Sequence, residues 1–598
     1  MPENVTPAKI QMTVKRGFER VNRYRKARAM FLKQYVGQYY KTTKGLTGDE
    51  PINLIFQTIR SWVPNLVMQN PINRIVTRFT SQRFYAELLS LALNQVDQDI
   101  KLKQVLRGWV VGALFGLGII KVGLAASGEM IQFGDKKIDP GQLYAELVDL
   151  DDFVFDPVCT ALDKSSFLGS RIRTPRQLLL DTDGYDHDLI LKLPRSRMGT
   201  SSNVENMTKK NIAVMEMYTL QDFVDVVELH VPDANALVTI SDPDQIILPN
   251  YLRLTGYNGP KEGPYEFLSF TPPVPNNPLP VAPVSIWYDL HKMANRVFQK
   301  TMNQSDRQKD LLLYNPANSD GAEDIIEARD GDALASSDPA SAKVVSYGGQ
   351  NRDNEAMLNS LQVWYNYMAG NPDQMAGNMT SGTKGTKETA TRSSIMQANA
   401  NVSIEDARDI LYDATAGVNR RLAWYLHTDP LINIPLTKRQ SGGEQKQLFL
   451  TPEQRCGDFL KFVFKIVQRS MSKMDPIVRS KRMMEFGTNI LPGVMNAAMV
   501  GMHMGQRVNV TRMLTDMATE LGIADDVADW FEDPEFEQKL KIMESMGPQN
   551  AGKAQGPSSG KPDQANPLAR PIASPQQEFN QTSQAGAAES QSANQGVY

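Results

Sequence analysis

The side chains best suited to metal binding or acid–base chemistry lie in two aspartate clusters. The denser cluster is the run DTDGYDHD at 181–188, and the second lies at 149–156. A calcium loop of the EF-hand type needs glycine at its sixth position and a closing glutamate, whereas Gly184 is fourth in the run and no glutamate closes it. The spacing therefore favours a surface turn, and a metal-dependent nuclease that uses Asp181 and Asp183 is the less favoured alternative.

A phosphate-binding loop is the second kind of chemistry to consider. In GNMTSGTK (377–384) four residues separate two glycines, but a nucleotide loop needs Gly-Lys followed by Ser or Thr, and Thr383 comes between Gly382 and Lys384. The five histidines, at positions 187, 230, 291, 427 and 503, form neither an HxxxH nor an HxxE pair. We therefore predict no catalytic residue, no metal and no cofactor, and the chain is not expected to be an enzyme.

The composition is that of a globular chain with several domains. Its 598 residues include 64 Lys and Arg against 67 Asp and Glu, a net charge of −3. This near-neutral balance argues against a protein that binds nucleic acid with its whole surface. Two cysteines, Cys159 and Cys456, cannot form a disulfide framework, so we expect a reducing compartment.

No membrane span or secretory segment is predicted. The longest apolar run, 109–120, has twelve residues, whereas a bilayer span needs about 20. The N-terminal segment 1–30 is rich in Lys and Arg and lacks the apolar core of a signal peptide. For the basic helix predicted at 11–40, a solvated face is favoured over a nucleic-acid contact.

Hydrophobic periodicity predicts helices and then a β-rich region over the segment 1–283. Helices are expected at 11–40, at 52–70 with a kink or break at Pro64, and at 84–120. Strands are expected at 119–124, 145–157, 167–173, 213–220, 222–231 and 244–249. Six prolines at 271–283 exclude a helix and predict an extended connector.

The remaining residues alternate helices with short inserts. The first predicted helix, 284–308, carries on its apolar side Ile286, Leu290, Met293, Val297, Phe298 and Met302. The second, 354–370, carries on its apolar side Met357, Leu358, Leu361, Trp364, Tyr365 and Met368. The other expected segments are β structure at 310–350, a mobile loop at 371–386, a helix at 387–427, a strand pair at 432–450, Met-rich helices at 453–546 and a disordered tail at 549–598.

This order of segments resembles that of bacteriophage portal proteins, the head-to-tail connectors of tailed phages. In that family a mixed α/β wing leads into a stem helix, a small β-containing clip, a second stem helix, a tunnel loop and a long helix that returns through the wing to a helical crown. The phrase FVFDPVCTALDKSSFLGSRIRTP (153–175) also resembles the wing, where an Asp-Pro turn precedes a strand that ends in basic residues.

The resemblance implies an α+β, portal-like ring subunit. Its implied divisions are N-terminal helices and wing at 1–283, stem helix 1 at 284–309, clip at 310–350, stem helix 2 at 351–370, tunnel loop at 371–386, long helix and wing return at 387–470, crown at 471–548 and disordered tail at 549–598.

The function implied by the resemblance is a channel for double-stranded DNA at one capsid vertex of the virion, assembled in the host cytoplasm and used for packaging and ejection. The implied partners are further copies of the chain in a dodecameric ring, DNA bound without sequence preference, the major capsid or scaffold protein, the terminase packaging motor and tail adaptors, with no membrane. Helices about 10 Å wide, standing side by side in a ring of twelve, leave a bore of about 28 Å, which admits a duplex about 20 Å across. The alternative is another virion adaptor or scaffold protein without a DNA channel.

Two groups of residues are the implied sites. The tunnel-loop candidates for DNA contact are Asn378, Thr380, Ser381, Thr383, Lys384 and Lys387, with an exposed loop that touches no DNA as the equally weighted alternative. The clip candidates for electrostatic contact with the motor and adaptors are Glu323, Asp324, Glu327 and Asp330.

Overall fold

A computed structural model describes residues 6–36, 52–125, 131–133, 136–138, 141–196, 222–306, 309–313, 343–347, 352–370, 390–431, 434–439, 445–467, 470–471, 480, 483–503, 510, 513–514 and 517–518. The chain is a mixed α+β protein, as expected. It divides into two compact units: unit 1 comprises 1–29, 62–283 and 401–598, and unit 2 comprises 30–61 and 284–400. None of the described helices is long and apolar enough to cross a bilayer.

The helices and strands are numbered separately in chain order. The helices with defined bounds are α1 Pro7–Val36, α2 Leu54–Leu66, α3 Arg83–Asp99, α4 Leu102–Leu114, α5 Arg176–Asp181, α6 His187–Leu191, α7 Pro283–Asp306, α8 Arg352–Met368, α9 Ala390–Thr428 and α10 Leu491–His503, which follows a π-helix at Phe486–Ile490. The strands are β1 Asn73–Thr77, β2 Gly118–Ala125, β3 Ile131–Phe133, β4 Lys136–Ile138, β5 Gln142–Val148, β6 Phe153–Phe155, β7 Leu168–Pro175, β8 Phe223–Val231, β9 Ala236–Ser241, β10 Arg253–Gly256, β11 Tyr265–Leu268, β12 Lys309–Leu313, β13 Lys343–Tyr347, β14 Ile434–Arg439, β15 Gln445–Leu450 and β16 Phe462–Ile466.

Two antiparallel sheets form the centre of unit 1. The larger has the strand order β10-β9-β8-β7-β6, and the smaller has the order β11-β2-β5. The unit also holds three strand pairs, β1 with β16, β14 with β15, and β3 with β4. In the β1–β16 pair Asn73 faces Ile466, so this ribbon joins two segments that lie far apart in the chain.

The five-stranded sheet is covered on both faces. On one face Val14 and Phe18 of α1 pack against β8 and β9, and on the other α5 and α6 pack against Val224 and Val226 of β8. Burying a side chain such as Phe18 contributes roughly 1.5–3 kcal/mol. The basic helix α1 is therefore a core element along its apolar side, because Val21 also lies in the cluster that joins the smaller sheet.

The second aspartate cluster is part of this packing. Arg28 of α1 forms ion pairs with Asp149 at 2.6 Å and Asp151 at 3.4 Å, and Arg25 donates to the backbone oxygen of Phe153 at 3.0 Å. Burial opposes ionisation of Asp149, but the Arg28 guanidinium beside it leaves the pKa of that carboxyl below its usual value. These aspartates hold a turn in place, and the strand predicted at 145–157 is consequently two strands, β5 and β6.

Close packing at two glycines explains the sharp passage from α4 into β2. Gly116 has φ of 145°, a backbone conformation that favours glycine, and a Cβ on Gly118 would lie 2.6 Å from the backbone oxygen of Trp109. The helix predicted at 84–120 is interrupted earlier, because Lys101 has φ of 53° and separates α3 from α4.

The strand predicted at 244–249 is wrong, and β9 lies just before it. The Asp242 carboxylate accepts a hydrogen bond from the backbone nitrogen of Asp244 at 3.2 Å, which forms a turn where β9 ends. The Gln11 side chain then pairs with both backbone groups of Leu248, each at 2.9 Å. A buried side chain from α1 thus supplies the hydrogen bonds that a neighbouring strand would otherwise supply.

The helices expected from residue 453 begin later than predicted. Residues 452–466 form two 3-10 turns and β16 instead. The expected helices at 284–308 and 354–370 are confirmed, as is the strand pair at 432–450. The connector contains no helix before Pro283, where α7 begins. The expected strand at 213–220 and the tail at 549–598 lie outside the described residues.

A buried polar cluster attaches α9 to the rest of unit 1. The Asp97 carboxylate of α3 accepts hydrogen bonds from Asn73 at 2.7 Å and from Asn419 of α9 at 3.1 Å. Further along α9, Arg421 pairs with the Glu266 carboxylate and donates to the backbone oxygen of Gly263 at 2.9 Å. Complete burial raises the pKa of Asp97 to about 8, against the effect of the two amide donors.

We predict that Asp97 makes the stability of unit 1 fall as pH rises. The folded carboxyl holds its proton up to about pH 8, whereas the unfolded one loses it near 3.8, so the native state binds more protons between these values. Urea denaturation should show the wild-type chain losing a few kcal/mol between pH 5 and pH 8, at about 1.4 kcal/mol for each pKa unit. Asp97→Asn should flatten this dependence, and an unchanged profile would contradict the prediction.

Candidate functional site

The buried side of α7 differs from the side predicted from its periodicity. Val284, Trp287 and Ala294 are buried, together with the polar residues His291 and Asn295. Of the six residues on the predicted apolar side, Ile286 is 47% exposed, Met293 51% and Met302 46%, while Leu290, Val297 and Phe298 are half-buried. The predicted apolar side of this helix is therefore largely exposed.

Polar contacts within unit 2 determine this orientation of α7. The Asn295 amide donates to the backbone oxygen of Ile52 and accepts from its nitrogen, both at 2.9 Å. The His291 Nε2 atom lies 3.3 Å from Oε1 of Gln34, and burial lowers the pKa of His291 to about 4, so the ring is neutral at pH 7. Turning the helix to bury its apolar side would leave these groups without partners, at a cost of about 1–3 kcal/mol for each.

The helix α8 runs antiparallel to α7 and buries a narrow stripe. Leu361, Tyr365 and Ala369 are buried, and the Tyr365 hydroxyl lies 2.9 Å from Oγ1 of Thr58. Trp287 donates to the backbone oxygen of Met368 at 3.2 Å, which joins the start of α7 to the end of α8. At the opposite end, Asn354 donates to Gln304 at 2.7 Å. The pair is thus a hydrogen-bonded helical hairpin that carries β12 and β13 between its two helices.

The outer side of α8 is an exposed apolar surface, here called the α8 face. Its members are Met357 at 43% exposure, Val363 at 65%, Trp364 at 55%, Tyr367 at 77% and Met368 at 54%. At 100° per residue these positions share one side of the helix, opposite the polar side that holds Glu355, Asn359 and Gln362. Periodicity placed Trp364 and Tyr365 on one apolar side, whereas the structure buries the tyrosine and exposes the tryptophan.

A second apolar stripe, exposed or half-buried along its length and here called the α7 seam, runs along the other helix. It consists of Ile286, Leu290, Met293 and Val297, whose spacing of four, three and four residues is that of a coiled-coil seam. Both surfaces belong to unit 2, and they differ in shape and composition. Exposed apolar surfaces of this kind mark protein-binding sites, and aromatic residues contribute most of the binding free energy in such sites. Two unlike surfaces are what a head-to-tail contact between identical chains requires.

The predicted loop and clip residues lie outside the described residues. These are Asn378, Thr380, Ser381, Thr383, Lys384 and Lys387 in the loop, and Glu323, Asp324, Glu327 and Asp330 in the clip. Both groups remain predictions.

The denser aspartate cluster is a surface turn, as expected. Asp181, Asp183, Asp186 and Asp188 are all exposed, and Asp186 caps α6 by accepting from the backbone nitrogen of Leu189 at 3.2 Å. Within the part of the chain that the structure describes, no group of three or more His, Cys, Asp or Glu side chains is placed to hold a metal ion.

The chain was compared with protein-family models and with curated proteins. No protein-family model matches the chain, and a search of curated proteins gave no significant match.

We predict that two tyrosines of α8 differ strongly in their contribution to the free energy of unfolding. Tyr365→Ala removes a ring that is 2% exposed and should lower the free energy of unfolding by about 3–5 kcal/mol. The matched change Tyr367→Ala removes a ring that is 77% exposed and should change it by less than about 0.5 kcal/mol. Urea denaturation at a concentration where the chain is monomeric provides the measurement, and equal effects would contradict the orientation of α8.

Proposed function

We propose that the chain is a phage portal subunit. In this proposal about twelve copies form a ring at one capsid vertex, double-stranded DNA passes through the ring during packaging and ejection, and the packaging motor and tail adaptors dock on the β-containing insert. The proposal includes virion localisation and contacts with capsid or scaffold protein. The observation that carries it is the pair of unlike apolar surfaces on the helical hairpin, the α7 seam and the α8 face.

A ring explains why both helices keep apolar side chains in water. In a closed ring each copy uses two different surfaces, one toward each neighbour, so the α8 face of one copy would cover the α7 seam of the next. Among the described residues of a single chain, the buried stripe of this hairpin contains Trp287, Leu361 and Tyr365. Covering Trp364 and Tyr367 would remove large aromatic side chains from water, and truncating an interface aromatic that is a hot spot costs about 2 kcal/mol or more.

The dimensions of α7 fit a channel wall. Its 24 residues span about 36 Å at 1.5 Å per residue, and twelve such helices leave a bore of about 28 Å. The side of α7 between the seam and the buried stripe is polar and exposed, with Asp289, Lys292, Arg296 and Lys300. A mixed-charge wall is suitable for passage, because a wall of cations alone would hold DNA through many phosphate contacts.

The proposed loop and clip assignments complete the channel. In this scheme the segment 371–386, which follows α8, narrows the bore with Lys384 and Lys387 near the phosphates. The acidic residues between β12 and β13, Glu323 to Asp330, would meet basic surfaces of the motor and adaptors.

The first test is the assembly state of the purified chain. Native mass measurement should give about twelve times 66.7 kDa, and electron microscopy should show a ring with an open bore. The double variant Trp364→Ser/Tyr367→Ser should assemble at least 30-fold more weakly, because it removes two interface aromatics. Val158→Ser/Leu191→Ser is the matched control, since these residues are 82% and 64% exposed and belong to unit 1.

Three results would contradict the proposal. A monomeric wild-type chain would show that no ring forms. Unchanged assembly of the Trp364/Tyr367 variant would show that the α8 face is not part of the contact between copies. An oligomer without a bore would favour an adaptor or scaffold protein instead.

The loop assignment leads to a separate prediction. Lys384→Glu/Lys387→Glu changes the net charge by −4 per copy, with two cations removed and two anions added, and this change is not fully screened within a Debye length of about 8 Å. The ring should form normally, but fewer capsids should fill with DNA or retain it, as counted by sedimentation. Lys164→Glu/Lys192→Glu, at exposed positions of unit 1, is the control. Normal filling of the loop variant would show that these lysines do not face the DNA.

A further inference from the structure

The β1–β16 ribbon of unit 1 has an exposed face made of cations and valines. Strand register places Arg74 directly opposite Lys465 and Val76 directly opposite Val463. Arg78 and Lys461 flank the pairing where Thr77 meets Phe462. All four basic residues are exposed, and the two valines are 44% and 46% exposed. We call these six residues the ribbon face.

The ribbon face places like charges opposite each other, whereas cross-strand pairs are stabilised by opposite charges. Opposite charges across an antiparallel pair stabilise it by roughly 0.2–1 kcal/mol, and like charges in the same place destabilise it. The ribbon face sets arginine against lysine and has no acidic residue on either strand. The repulsion disappears when an anion binds between the cations.

The four cations are not neutralised from within the described part of the chain. None of them forms an ion pair there, although arginines elsewhere in unit 1 do, such as Arg171 with Asp242 at 3.0 Å. The Nζ atom of Lys461 lies 5.3 Å from the centroid of the Phe79 ring. Their charge is therefore available to a partner.

The opposite face of the ribbon is held rigidly. Asn73 and Ile75 of β1 are buried, and their backbone nitrogens donate to Asn94 and Ser90 of α3 at 2.7 and 2.8 Å. Phe462 and Ile466 of β16 are buried on the same side. The alternation of strand side chains then places Arg74 and Lys465 outward, so that little ordering of these two residues is needed before an anion binds. Arg78 and Lys461 lie just beyond the strands and are exposed beside them.

We propose that the ribbon face binds the phosphate backbone of double-stranded DNA without sequence preference. Arg74 and Arg78 are four residues apart, so the cations extend over about 13 Å at about 3.3 Å per extended residue. A duplex presents one negative charge for about every 1.7 Å of its axis, so about eight phosphates lie along that length. This charge density matches four clustered cations, and arginine suits phosphate because its guanidinium donates two parallel hydrogen bonds. The inference does not rest on the proposed ring, because the surface lies within unit 1.

The test compares two sets of charge-removing substitutions in the full chain. Fluorescence anisotropy with a random-sequence 30-base-pair duplex measures binding for wild type and for Arg74→Gln/Arg78→Gln/Lys461→Gln/Lys465→Gln. The matched control is Lys9→Gln/Lys15→Gln/Arg23→Gln/Lys26→Gln, which removes four exposed cations from α1. We expect the ribbon variant to bind at least tenfold more weakly near 100 mM salt, with a salt slope smaller by about 3. The control should bind within threefold of wild type.

Several results would overturn the inference. Equal losses of DNA affinity in the two variants would mean that net charge alone attracts the duplex. Unchanged affinity in the ribbon variant would mean that these cations only keep an exposed strand pair hydrated. Competition by poly-glutamate as strong as that by an equal charge of duplex would assign the face to acidic protein partners. The thermal unfolding temperature of each variant is measured as a control. A value equal to that of wild type shows that the variant is folded and that its weaker binding comes from the removed charges.

Discussion

Unit 1 depends on the pairing of polar groups that are buried away from water. Asp97 is completely buried, and its hydrogen-bond donors come from β1 and from α9, two elements that are distant in the chain. An unpaired buried polar group costs more than a typical hydrogen bond contributes, so the amide donors of Asn73 and Asn419 favour the observed placement of α9 against α3 and β1. That placement also holds Asn73 at the start of β1, and through it the inner side of the β1–β16 ribbon. The outward direction of the ribbon cations is thus a consequence of the same buried contacts.

In unit 2 the pairing of buried polar groups also determines which side of each helix is buried, but here it leaves apolar side chains exposed. Asn295 and His291 take the buried side of α7, and Tyr365 takes the buried side of α8 because its hydroxyl reaches Thr58. These contacts fix the orientation of both helices, and much of the seam and of the α8 face then remains in water. Hydrophobic burial is roughly proportional to area and has no direction, whereas these hydrogen bonds have fixed geometry. An apolar surface left exposed for this reason is free to be covered by another molecule.

The sequence predicted the existence and type of most long elements better than their contacts. Helices such as α7 and α9 and strands such as β8 have a clear period, so local pattern was sufficient. Local pattern failed at 244–249, where the backbone of Leu248 pairs with the Gln11 side chain instead of a strand. Gln11 lies 237 positions away in the sequence, so no local pattern could indicate this partner. It also failed on the buried side of α8, since periodicity treats Trp364 and Tyr365 alike and the hydroxyl of the tyrosine decides between them. The Arg74–Lys465 pair could not be predicted at all, because it requires a register between distant strands.

The net charge of the chain conceals how its charges are distributed. The total of −3 argues only against nucleic-acid binding by the whole surface. The arginines nearest the core are neutralised by neighbouring carboxylates, as Arg28 is by Asp149 and Arg171 by Asp242. The cations of the ribbon face lack such partners among the described residues, so the local potential there is set by them rather than by the total. Because the potential falls within about 8 Å at physiological salt, a partner at the ribbon senses these four charges and little of the chain's remaining acidity.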